Sequence, residues 1–133
     1  MRQLFLLGAA LCLMTATAFA QDPVKVDPQH YQVVFENDRV RVLKFHYGPH
    51  EKSVMHSHPD AVVTFLSGGT AKFHMPDGTT QDQTMTAGES HWTPAGTHLP
   101  ENVGDIAMEG VLVELKGHHG AHAETKAAPP PAQ

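Results

Sequence analysis

Two histidines one residue apart, His56 and His58 in "MHSHPDAVVTFLSGG", are residues whose type and spacing could do chemistry. On a strand, alternate side chains share a face, so both imidazoles point the same way. Neutral imidazole is a ligand for divalent metals, and a third histidine from a neighbouring strand would complete a site. His98, in "PAGTHLPEN", is the obvious third. The plainer alternative is a pair of partly exposed histidines at a strand end, in a chain that carries 11 histidines.

Other groups stand near these three. His91 and Trp92 are neighbours on an expected strand, so one of them faces inward. Trp92 is the expected inward residue, since a large aromatic side chain dominates packing. With His91 inward instead, it would be a fourth ligand or a proton-transfer group. Glu101 is a late carboxylate at the site, a partner that fixes a histidine tautomer, or a solvated strand-end residue. Arg41 would hold an anion if a bulge turned it inward, and is otherwise a surface arginine. His46, His50 and His74 are equally ambiguous, and His74 alternates with Phe73, which points it outward. Ser53, Ser57 and Ser90 lie near histidines, but no strand-turn-helix elbow accompanies them. Neither glycine cluster, Gly68-Gly69 nor Gly117 to Gly120, precedes a helix that would make a phosphate loop.

The elements that position these residues read as short strands. Turn signals recur every eight to twelve residues between Gln29 and Leu115 without a helical period, the pattern of an all-β sandwich or barrel of eight or nine strands. "YQVVF" and "VRVLKFHY" flank the turn "ENDR". In the second, Val40 and Val42 share one face and Leu43, Phe45 and Tyr47 the other, so a bulge near Leu43 or burial of both faces is expected. "AKFHM" alternates cleanly with Ala71, Phe73 and Met75 inward, "TQDQTM" is a polar edge candidate, and "AMEGVLVEL" is the last core strand.

Taken together, "HSHPDAVVTFLSGG" and "GESHWTPAGTHLPEN" resemble the two short motifs of the cupin superfamily, small β-barrels of the double-stranded β-helix or jelly-roll type. Gly88, Pro94, Gly96, His98 and Asn102 occupy the places of the later motif, with one residue instead of two between Gly96 and His98. The earlier motif puts its histidines on His56 and His58, its closing glycine on Gly69 and its glutamate at Val62. Its opening glycine falls on His50. The resemblance covers Tyr31 to Leu115 and implies an all-β cupin barrel whose metal ligands are His56, His58 and His98, with no carboxylate ligand.

Three neutral imidazoles would leave a divalent ion its full charge, which favours an anionic small molecule at the open positions. Iron, zinc, copper, nickel and manganese all suit such a donor set. The resemblance therefore implies either a metal-dependent oxygenase or isomerase acting on a small anionic molecule, or a non-catalytic cupin that binds a metal or small ligand. It also implies a possible homodimer, for which the "YQVVF" edge is the candidate.

The ends are separable from this body. Arg2, the apolar run from Leu4 to Met14 and the small-x-small Ala18-Phe19-Ala20 form an export signal, cleaved after Ala20. The stretch from Leu4 to Ala20 is slightly short for a membrane span of about 20 residues and contains Thr15 and Thr17. A periplasmic or secreted protein without stable membrane insertion is expected. Cleavage takes away Cys12, the one cysteine, so neither a disulfide nor a thiolate metal site is possible. Residues 21–28 form a lead, residues 29–116 the barrel, and residues 117–133 a disordered tail rich in His, Ala and Pro. With 14 acidic against 9 basic residues and a net charge of −5, nothing points to nucleic acid or an anionic membrane surface.

Overall fold

A computed structural model describes residues 21–117; the expected export signal, and the expected tail beyond Gly117, lie outside the described residues. A short helix, α1 (Pro23–Val26), precedes nine strands: β1 (Tyr31–Glu36), β2 (Val40–Tyr47), β3 (His56–His58), β4 (Ala61–Phe65), β5 (Gly69–His74), β6 (Thr80–Met85), β7 (Ser90–Thr93), β8 (Gly96–Asn102) and β9 (Met108–Leu115). They build two antiparallel sheets, ordered β1-β2-β9-β4-β7 and β3-β8-β5-β6. Both contribute to one core cluster, with Leu43, Phe45, Phe65 and Leu112 from the first sheet and Ala71 and Met85 from the second. No described helix is long and apolar enough to cross a membrane.

Alternation decides what each strand sends inward. In β2, Leu43, Phe45 and Tyr47 are buried while Lys44 and His46 are exposed. The expected bulge near Leu43 is not there. β2 pairs with β9 in unbroken register from Val40 opposite Leu115 to Tyr47 opposite Met108, and the register shift lies in β1, between Val33 and Phe35. Arg41 consequently has the inward parity of Leu43 without any bulge. In β9, Met108, Gly110, Leu112 and Glu114 are the buried set. Gly110 is required there because a Cβ would come within 2.8 Å of the Thr64 carbonyl oxygen and closer still to the Phe45 ring. In β5, Ala71 and Phe73 pack inward as expected, and the polar β6 is indeed a sheet edge. β1 is the edge of the larger sheet, with Val34 and Phe35 exposed along it.

Polar side chains fasten the turns. Asn37 Oδ1 accepts from the amides of Arg39 and Val40, at 2.8 and 2.9 Å, which closes the β1-β2 hairpin. Asn102, fully buried at the end of β8, donates to the carbonyls of Gly48 and Ile106 at 2.9 and 2.8 Å and accepts from the Gly104 amide at 3.0 Å. Asp60 Oδ1 accepts from the Ala95 amide at 2.7 Å, tying the β3-β4 junction to the Pro94-Ala95-Gly96 turn. Gly88 adopts φ +87, a left-handed conformation that a side chain would oppose.

Candidate metal centre

β3 and β8 run antiparallel with His56 directly opposite His98, so these two side chains share a face, and His58 joins them by alternation. One ring nitrogen from each of His56, His58 and His98 lies within 4.8 Å of the others. The His98 ring centroid is 5.2 Å from that of His56 and 5.5 Å from that of His58. The shortened gap between Gly96 and His98 therefore does not misdirect His98.

Hydrogen bonding fixes two of the three tautomers. His56 Nδ1 lies 2.8 Å from the Val54 carbonyl oxygen, and His58 Nδ1 lies 2.7 Å from Glu114 Oε1. A carbonyl and a carboxylate accept, so each Nδ1 carries a proton, and in the neutral ring the Nε2 lone pair is left to accept a hydrogen bond or to coordinate. The two Nε2 atoms are 3.1 Å apart. Nitrogens bound about 2.1 Å from one ion would stand about 3.0–3.4 Å from each other, so this spacing fits donors that share a cation. Burial, reinforced by the neighbouring His58, pulls the His56 pKa down to about 4. Burial, with His58 and His56 beside it, pulls that of His98 down to about 3. Both rings are neutral at neutral pH, and coordination would displace no proton from them.

A carboxylate stands at the site, contributed by β9. Glu114, 2% exposed, accepts from His58 through Oε1 and from Arg41 Nε through Oε2 at 2.6 Å. It pairs in register with Ala61 of β4, whose small side chain leaves room for it. Burial pushes the Glu114 carboxyl up, but the bonds from His58 and Arg41 outweigh it and hold its pKa below the usual value. Arg41 Nη1 continues the chain to Asp22 Oδ2 at 2.8 Å. Asp22 in turn caps α1 through the Val24 amide at 3.0 Å.

Several expectations are corrected by this geometry. Val62 faces away from the site, because the inward residues of β4 are Ala61, Val63 and Phe65. Arg41 points inward but is engaged by Glu114 and Asp22, which leaves it no role in holding an anion. Glu101 lies on the outer face of β8, alternating with His98 and Pro100, and bonds His74 Nε2 at 2.6 Å. It therefore does not line the site. His91, not Trp92, has the inward parity: β4 pairs with β7 so that His91 stands opposite Val63 and Trp92 opposite Val62. Trp92 is 56% exposed, and the His91 ring packs 5.9 Å from that of Phe65.

A second polar network backs the histidines, built partly by the segment read as a lead. Asp27, His30 and Ser53 are all buried. Asp27 accepts from His30 Nδ1 at 2.8 Å and, by a very short hydrogen bond, from Ser53 Oγ. Ser53 Oγ lies 3.3 Å from His56 Nδ1, and the His30 ring stacks on Tyr47 at 4.4 Å. Tyr47 donates to Tyr31 Oη at 2.8 Å, and Tyr31 Oη lies 3.1 Å from His56 Nε2. No periodicity marks Asp27 or His30; Glu114 was missed from the sequence as well, although its being in phase with Met108 and Leu112 is a signal that could have found it.

His58 and His98 open onto a cavity of about 420 Å³, with His56 fully buried behind them. His58, His98, Tyr31 and His91 line it together with Phe65 and Phe73, and among the described residues its wall contains neither lysine nor arginine. Two opposed antiparallel sheets, with a histidine cluster set between β3 and β8 at such a cavity, make this the double-stranded β-helix fold of cupin domains. Solved structures agree. A cupin domain from Bordetella pertussis is 28% identical, with a TM-score of 0.61, covering 65% of this chain and 92% of its own. A protein with a double-stranded β-helix domain from Klebsiella pneumoniae is also 28% identical, with a TM-score of 0.54, covering 71% and 84%. A cupin family protein from Methanocaldococcus jannaschii shares the fold at 11% identity and a TM-score of 0.52, over 64% and 77% of the two chains. No protein-family model matches this sequence, and no curated protein does.

Proposed function

We propose that this chain is an exported cupin that binds one divalent transition metal through His56, His58 and His98 and uses it to hold a small anionic molecule. The observation that carries the reading is the convergence of one ring nitrogen from each histidine within 4.8 Å of the others, with the His56 and His58 Nε2 atoms 3.1 Å apart, a spacing that suits donors sharing one cation. When bound, the metal would act as a Lewis acid toward a carboxylate, enolate or similar chelating group. The chain supplies three imidazoles oriented by Val54, Glu114 and strand pairing, a mostly apolar cavity that limits water, and His91 as the candidate for moving a proton at its wall. Among the described residues no Lys or Arg lines that wall, so the ion would be the source of attraction for an anion. Iron, zinc, copper, nickel and manganese suit the donor set.

Two outcomes of that chemistry are open to the chain: an oxygenase or isomerase, or a non-catalytic carrier of the metal or ligand. Elemental analysis of the purified protein and of His98→Ala tests the site. We expect one metal per chain, lost in the variant; equal metal in both would refute the assignment. Oxygen uptake with small dicarbonyls, thiols and catechols then separates the oxygenase from the carrier. Export after cleavage at Ala20 belongs to the same proposal, and N-terminal sequencing of the protein from its native host checks it: a chain retaining Met1 or Arg2 would refute it. A homodimer paired through the β1 edge would give a dimer mass in solution that Phe35→Lys reduces to a monomer.

A further inference from the structure

We propose that Tyr31 supplies the hydrogen bond that decides which ligand atoms the site accepts, favouring those that keep a spare lone pair after they coordinate. The inference rests on the three histidines holding an ion. Tyr31 Oη has two polar neighbours. It receives the Tyr47 hydroxyl proton at 2.8 Å, so its own proton goes to His56 Nε2, 3.1 Å away. His56 can accept there because its Nδ1 proton is committed to the Val54 carbonyl. Once His56 Nε2 coordinates an ion, that lone pair is used and the Tyr31 O–H has lost its acceptor. The phenol is 5% exposed, and its ring is held edge-on against His56 at 5.0 Å, so a new acceptor must come to it through the cavity that Tyr31 lines. A buried donor without a partner is unfavourable, and a ligand atom that restores the bond is selected.

The place such an atom must occupy follows from the spacing. Tyr31 Oη is as far from His56 Nε2 as His58 Nε2 is, 3.1 Å in each case, so the phenol borders the point on which the imidazoles converge. An atom that coordinates the ion and accepts from Tyr31 needs two lone pairs. Carboxylate, enolate and hydroxide oxygens qualify, as does the terminal nitrogen of azide. Imidazole and ammonia have a single lone pair at the donor nitrogen and do not. The specificity is thus for the acceptor character of the coordinating atom, over and above the charge of the ion.

The test uses the full protein loaded with cobalt(II), with metal content measured first and azide and imidazole then titrated against the visible spectrum. Tyr31→Phe should bind azide about tenfold to a hundredfold more weakly while its imidazole affinity stays the same. Equal azide affinity, or equal loss for both ligands, would overturn the inference. So would a tyrosinate charge-transfer band in the iron(III)-loaded wild type that Tyr31→Phe removes, since Tyr31 would then be a ligand and not a donor. Should Tyr31→Phe fail to fold, Tyr47→Phe takes its place. Removing its hydrogen bond loosens and weakens the Tyr31 donor, lowering azide affinity a fewfold with imidazole unaffected, and an unchanged azide affinity would overturn the proposal. A wild-type protein that takes up no cobalt defeats the three-histidine reading as well; metal uptake with no azide discrimination defeats only this one.

Discussion

Glu114→Gln keeps the shape of the side chain while removing its charge, and its expected effect follows from the two bonds the carboxylate makes. Oε1 accepts from His58 at 2.7 Å and Oε2 from Arg41 at 2.6 Å, in a position 2% exposed. A glutamine amide has one oxygen and one NH₂, so it can satisfy only one of these two donors. Arg41 cannot give up its proton, and the amide oxygen will turn to it. The NH₂ then faces His58 Nδ1 and forces the other tautomer, with the proton moved to Nε2, where it blocks the lone pair meant for the ion. Losing one charge-assisted bond and leaving a strained contact should lower the stability of the metal-free fold by about 2–4 kcal/mol. Loss of such a partner to a metal-binding histidine typically weakens affinity by about 10–100-fold, or about 1.4–2.8 kcal/mol. Competition against a chromophoric chelator measures the affinity, and urea unfolding the stability. Adding Arg41→Met to the variant releases the amide oxygen to accept from His58, and should recover part of the lost affinity even though Asp22 loses its partner. An affinity for Glu114→Gln within twofold of wild type, with the fold intact, would refute the tautomer argument.

Two further outcomes are expected. Gly110→Ala should destabilise the protein by about 1–3 kcal/mol, because its Cβ meets the Thr64 carbonyl and the Phe45 ring in a strand that cannot shift alone; an unchanged urea midpoint would show that the sheet yields. The metal-free protein should lose stability as the pH falls below about 6.5: the unfolded histidines take up protons there, whereas folded His56 and His98 resist until about 4 and about 3. Glu114, with its lowered pKa, adds loss of the same sign at lower pH. By pH 5 the two histidines together withdraw on the order of 2–4 kcal/mol, which a urea midpoint equal at pH 7.5 and pH 5 would contradict.

The strand pattern was legible because period two needs only the chain itself. It placed His56 and His58 on one face, marked Phe73 as inward and His74 as outward, and made β6 an edge. What single strands do not carry is register between them. Trp92 was expected inward because of its size, yet β7 is a sheet edge and its parity is set by His91 pairing with Val63. Two large neighbours cannot both face the core, and here the outer surface over Val62 took the indole. The phase change in β2 had the same cause: Arg41 continues the inward row because its charge is met by Glu114 and Asp22 from elsewhere in the chain. Asp27 and His30 precede the first strand, where no period announces a buried position, and their burial depends on Ser53 from a distant loop.

Val62 raised the question of a missing carboxylate, and the structure changes what that absence means. A glutamate that coordinated an ion directly would reduce its charge by one. Glu114 instead binds the far nitrogen of His58, and its own charge is balanced by Arg41, which is itself tied to Asp22. Its negative charge therefore reaches an ion only through an imidazole made more basic, and partly cancelled by a guanidinium. An ion at this site would be held more tightly than by three isolated histidines while keeping its attraction for an incoming anion. Substituting Val63, the inward residue of β4 opposite His91, by glutamate offers the comparison. A carboxylate there would compete with exogenous anions for the ion, so azide affinity should fall while metal affinity rises. Parallel loss of both would mean that Glu114 already satisfies the charge of the site.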